Sequence, residues 1–172
     1  MPDTTRTDLP DDLSERTVLL TMLDYTRKTA VMKCEGLSDE DGRRSLLPGS
    51  PLMTVSGIIS HLRWVEWSWV DVRLLGVNDP GPWTDDENDP DREMHFRLDW
   101  PLADVVADYQ ALARSHDELF ASFDLDKVAA QQTRGGKEIT FRWIVHHLIE
   151  ENARHNGHLD IIREMLDGTT GD

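Results

Sequence analysis

His147, Glu151, His155 and His158 recur at intervals of four, four and three residues within WIVHHLIEENARHNGHLDIIREML, the run from Trp143 to Leu166. On a helix this spacing stacks the four side chains along one stripe. Three imidazoles and a carboxylate make a poor hydrophobic seam, although the residues between them are apolar enough to face a core. They would make a good half of a metal site. Imidazole nitrogens and carboxylate oxygens are donors for a divalent cation such as zinc, and a catalytic site keeps three protein ligands and leaves a further position open.

Bundle metal sites are completed from facing helices. His61 is the natural partner, because it lies among Ile58, Leu62 and Val65 on a face that should turn inward. His61 with Glu151 and His155 would supply three donors. Spacing alone leaves a second reading open, in which the stripe is a polar face and Glu151 and His155 form an ordinary i,i+4 pair. No HExxH motif is present, so nothing supports a zinc protease. His95 lies in an acidic loop and His116 near a helix end, and His146 points about 100° away from His147 on a helix.

Four long helices have to position these side chains. The first is expected from about Leu13 to about Glu35, with Val18, Leu19, Met22, Leu23, Ala30 and Val31 near helical spacing. The second should start near Thr54 as N-cap and end at Gly76, with Ile58, His61, Leu62, Val65, Trp69 and Val72 on one broad face. A third follows Trp100-Pro101, its buried face marked by Leu102, Val105, Val106, Tyr109, Leu112, Ala113 and Leu119. The fourth runs from about Thr140 to Leu166. Residues 1–12 read as a loose polar arm, Leu37–Glu40 as a stop and a short capped turn, and 77–99 as a long Pro-, Gly- and Asp-rich connection. With no strong strand pattern between them, the helices predict an all-α antiparallel four-helix bundle over 13–168, with the long loop between its second and third helices.

Composition narrows the partners. The 172 residues carry a formal net charge of −15, with 38% hydrophobic and 30% charged residues, as in one soluble globular domain. Acidity of that size argues against nucleic acid, which requires Lys and Arg clusters. No apolar run approaches the roughly 20 residues of a membrane span, and no signal-peptide pattern is expected at the N-terminus. Cys34 is the only cysteine, which fits a reducing cytoplasm and excludes a cysteine-built zinc cluster within one chain. It lacks a helix N-terminus to activate it and reads as a structural thiol. Trp64, Trp67 and Trp69 read as core or dimer contacts. Arg63 and Arg154 could meet an anionic cosubstrate at a pocket mouth, with surface pairing as the plainer reading.

The segments SLLPGSPLMTVSGIISHLRWVEWSW and ITFRWIVHHLIEENARHNGHLDIIREMLDG resemble the DinB superfamily, and most of all its actinobacterial branch long labelled a domain of unknown function or mini-circle protein. The resemblance spans roughly residues 15–168. It implies that His61 is the first metal ligand and that His155, opening HNGH, is the last, with Glu151 at a place where many relatives have histidine. Glutamate there resembles the mycothiol-dependent maleylpyruvate isomerase variant. His158 stands where many relatives have glutamine and is expected to line the pocket, as is His147. Zinc leads as the metal, with nickel and iron also suited to such a donor set. By the same resemblance the chain is expected to be a homodimeric transferase or isomerase that joins a small mycothiol-type thiol to a small electrophile. A non-catalytic metal-stabilised binding or stress protein and a metal-dependent hydrolase are the alternatives.

Overall fold

The structure is a computed structural model that describes residues 5–79, 81–83 and 89–171. Four of its helices start where hydroxyl side chains meet otherwise unpaired backbone N–H groups. Ser14 accepts from Thr17 N at the start of α1 (Glu15–Met32), and Ser38 from Asp41 N at α2 (Asp39–Arg43). Thr54 accepts from Gly57 N at 3.0 Å to open α3 (Val55–Trp67), which continues as a π-helical segment over Ser68–Leu74. The short α4 (Arg92–His95) follows the long connection, and α5 (Leu102–Phe120) has its first N–H capped by Asp39 Oδ1 at 2.8 Å. Thr140 caps α6 (Phe141–Asp167). Among the described residues the regular elements are all helical, and Val128 and Thr140 form one isolated antiparallel bridge.

These bounds lie within a few residues of those expected for the four long helices, but the second changes character at Ser68. In the π segment N–H groups reach five residues back, as Leu75 N does to Val70 O. The extra residue rotates the buried stripe. Val65 is followed inward by Val70 and Leu74, while Val72, expected on the buried face, is only half-buried. Residues 1–4 of the N-terminal arm lie outside the described residues, as do 80 and 84–88 of the long connection. The described part of the arm places the Arg6 guanidinium 4.7 Å from the centre of the Tyr25 ring.

α1 packs along α6, and α3 packs against both α5 and α6. Two apolar clusters result. One contains Ala30, Ile58, Leu62, Tyr109, Leu159 and Ile162, the other Leu23, Val65, Val70, Phe120, Ile144 and Leu148. Each long helix also buries a polar side chain: Arg27 on α1, Glu66 on α3, His116 on α5 and Asn152 on α6. Arg27 Nε donates to Glu66 Oε2 at 2.9 Å, and Arg27 Nη1 to Asp117 Oδ1 at 2.8 Å. The His116 ring is buried with Nδ1 2.8 Å from Glu66 Oε1 and Nε2 2.8 Å from Asp71 Oδ2. Burial disfavours the charged forms, but the network reverses this: Arg27 and His116 hold Glu66 low, and Asp71 and Glu66 hold His116 high. His116 is thus a core histidine, and the π segment is what delivers Asp71 to it. Cys34 is buried as well, and burial pushes its thiol up to about 12.

Candidate metal centre

α3 is fixed at His61 by its buried neighbours Ile58, Leu62 and Val65, and by α4, which lies across its first turns. Ser60 Oγ donates to the Glu93 carbonyl at 2.6 Å. Gly57 permits this approach, since a Cβ there would stand 2.6 Å from Leu52 O and 2.8 Å from Met94 O. The clamp brings in a residue that the sequence pattern did not expose. Glu93 is buried, and its Oε1 accepts from His61 Nδ1 at 3.0 Å. With Nδ1 so engaged, the other ring nitrogen of His61 is the one available as a ligand. Glu93 Oε2 is buried without a hydrogen-bond partner among the described residues. Glu93 is 32 residues from His61 in a stretch without hydrophobic period, so only the folded chain relates the two.

α6 supplies the rest of the cluster. Leu148, Leu159 and Ile162 seat the helix in the core, and Glu151 and His155 face His61 across the gap to α3. Glu151 Oε2 is 3.9 Å from His61 Nε2 and 3.8 Å from His155 Nε2. One donor atom from each of the three residues can be chosen so that all lie within 4.8 Å of one another. The His61 and His155 rings are 4.7 Å apart, centre to centre. These gaps exceed hydrogen-bonding distance. Two donors on one zinc-sized cation stand no further apart than twice a bond of about 2.1 Å, and the two glutamate–histidine gaps fall under that limit. Two of the three gaps therefore suit one divalent cation, and the third pair lies within 4.8 Å. His61, Glu151 and His155 keep side-chain exposures of 19%, 21% and 11%, so the cluster is reachable from solvent.

Electrostatics agree with this arrangement. Burial opposes protonation of His61, but the carboxylates of Glu151 and Glu93 outweigh it and hold the ring at about 9. Burial, together with the charges of His61 and His158, pushes His155 down to about 4. Glu151 is lowered mainly by His61, with His147 and His155 adding to the effect. At neutral pH Glu151 is thus a carboxylate and His155 a neutral imidazole. A proton and a divalent cation compete for the same nitrogen of His61.

The remaining stripe residues take separate places. His158 lies behind His155, Nδ1 to Nδ1 at 3.4 Å. His147 stacks on Trp143, meets Trp69 edge-on, and puts Nε2 3.5 Å from Glu151 Oε1. His147, Glu150 and Glu151 form a second close-packed donor group. Arg154 is exposed and donates to Glu150 at 2.9 Å, away from the cluster. Arg63 donates to Asp108 at 2.8 Å and lies over Trp64. His146 is exposed, and His95 pairs with Asp89 at 2.7 Å.

Comparison with known proteins gives one family. The model described as MST: Mycothiol-S-transferase matches residues 18–168, a span that includes every member of the cluster. No curated protein matches the sequence.

Proposed function

Since the chain belongs to the mycothiol-S-transferase family, within the DinB-like metal-binding helical superfamily, we propose that it transfers a mycothiol-type thiol onto a small electrophile at a metal centre held by His61, Glu151 and His155. The observation that carries this reading is the spacing of the cluster, with carboxylate-to-imidazole gaps too wide for hydrogen bonds and suited to one shared cation. Zinc is the metal the donor set favours. The finer architecture belongs to the same proposal: α1, α3, α5 and α6 as an antiparallel four-helix bundle in one domain over 13–168, homodimeric and cytoplasmic.

A bound divalent cation supplies Lewis acidity, which lowers the pKa of a coordinated thiol toward neutrality. The chain's own residues do the rest. Glu93 accepts a hydrogen bond from His61 Nδ1–H and so favours the tautomer that turns a lone pair at Nε2 toward the metal position. Leu62 and Leu148 are buried on the core side of the two helices that carry the cluster. The thiol sulfur attacks the electrophilic carbon, a C–S bond forms, the leaving group departs with its bonding pair, and the thiol proton passes to solvent.

Conjugation of monochlorobimane to mycothiol tests the reaction. A rate above background that is lost on chelation and in His61→Ala is the expected result. No metal-dependent rate, with metal still bound, would turn the reading toward a binding protein.

A further inference from the structure

We infer that the tryptophan-lined pocket beyond His61 on α3 and its π segment receives the polyhydroxylated body of the thiol cosubstrate; this rests on the transferase reading above. The pocket has a volume of about 620 Å³, inside the usual range of roughly 300–1,000 Å³ for small-molecule sites. Trp67, Trp69 and Trp83 line it together with Arg73, Arg134 and Asp79.

Position relates it to the centre. Val65, on the pocket wall, lies one helical turn beyond His61 on the same face of α3. Trp69 meets the ring of His147 at 4.6 Å between centres, and His147 Nε2 is 3.5 Å from Glu151 Oε1. A ligand filling the pocket can therefore extend a short arm toward the centre.

Chemistry selects the ligand class. Indoles offer flat apolar faces with a polar edge, and guanidinium groups offer planar sets of donors. The chain has 33 acidic against 18 basic residues, yet neither Arg73 nor Arg134 has a carboxylate partner among the described residues. Among the described residues the Arg73 guanidinium donates to Gln131 Oε1 and the Gln132 carbonyl. An anion would meet these donors but also the carboxylate of Asp79. A polyol suits both, since its hydroxyls accept from arginine and donate to aspartate while its C–H faces cover the indoles. The sugar–cyclitol body of mycothiol has that character.

The probe is mycothiol S-methyl ether, which has no free thiol and so reports the pocket apart from metal coordination and transfer. Titrated into the metal-free full chain, it should shift tryptophan fluorescence saturably. Affinity should fall at least 5-fold in Trp83→Ala and in Arg134→Ala, with unchanged circular dichroism. S-Methyl-N-acetylcysteine, which lacks the body, should not saturate. With metal-loaded protein, Arg134→Ala should raise KM for mycothiol while leaving kcat in place. No binding by the wild-type chain, wild-type affinity in both variants, or equal binding of the body-less probe would overturn the pocket. Probe binding lost in the variants, with no transfer under any metal, would keep the pocket and remove the transferase reading.

Discussion

Glu66 meets His116 at 2.8 Å, whereas Glu151 stands 3.9 Å from His61 and 3.8 Å from His155. Both groups bring glutamate and histidine together from separate helices, and Glu66 is only five residues along α3 from His61. The first is closed. Arg27, His116, Asp71 and Asp117 satisfy one another by hydrogen bonds, and the His116 side chain is only 2% exposed. The second is open, with His61 at 19% and donor atoms that converge without bonding. Residue type cannot tell the two groups apart; the donor distances and the exposure of the histidines can. The first group holds helices together, and the second holds space.

The largest expected effect comes from breaking the closed group. Glu66→Ala removes the buried carboxylate shared by Arg27 and His116, leaving Asp117 and Asp71 as their remaining acids, and should cost about 3 kcal/mol. Urea unfolding of chelator-treated protein measures this. In the same assay Glu151→Ala should cost less than about 1 kcal/mol, as for a partly exposed pair. Equal costs would erase the distinction between the two groups.

Next comes the positioning of His61. Glu93→Gln keeps the shape but weakens the acceptor for His61 Nδ1, and metal affinity should fall about 10- to 100-fold. Competition with a chromophoric chelator reads this directly. An unchanged affinity would remove Glu93 from the centre.

Titration separates the groups at a smaller scale. Glu66 is held below its ordinary 4.5, so its contribution is present above that pH and is lost as pH falls. His116 is raised above 6.5, so its contribution is full below 6.5 and is lost as pH rises through the folded-state value. Melting of metal-free protein should therefore show the network strongest between about 4.5 and 6.5. His116→Gln should flatten the alkaline limb of the difference profile.

The helices and the centre were legible to different depths. Hydrophobic period placed the four long helices, and Thr54 and Thr140 cap as hydroxyl residues before apolar runs should. His61, Glu151 and His155 could be picked out because two of them share a helical stripe and the third lies on an otherwise apolar face. Glu93 could not be, since its tie to His61 depends on how a long connection crosses α3. The burial of His116 was hidden for a related reason. Its partner Asp71 sits where the α-helical period breaks, and the π turn also moved Val70 inward in place of Val72. Gly81 shows the same dependence on tertiary contact: its φ of +61° and the 2.7 Å that a Cβ would leave to Trp67 make sense only with the connection folded against the indoles.

The smallest effect is expected at the outer face. Arg154→Ala removes an exposed pair with Glu150 and should leave the urea midpoint and the metal affinity unchanged. A loss of affinity there would extend the open group to Arg154 and Glu150.

Elemental analysis of the purified chain tests the comparison most directly. The wild-type protein and Arg154→Ala should carry stoichiometric divalent metal, and His61→Ala and His155→Ala should lose it while retaining wild-type helicity. Full metal occupancy in His61→Ala would contradict the three-residue centre.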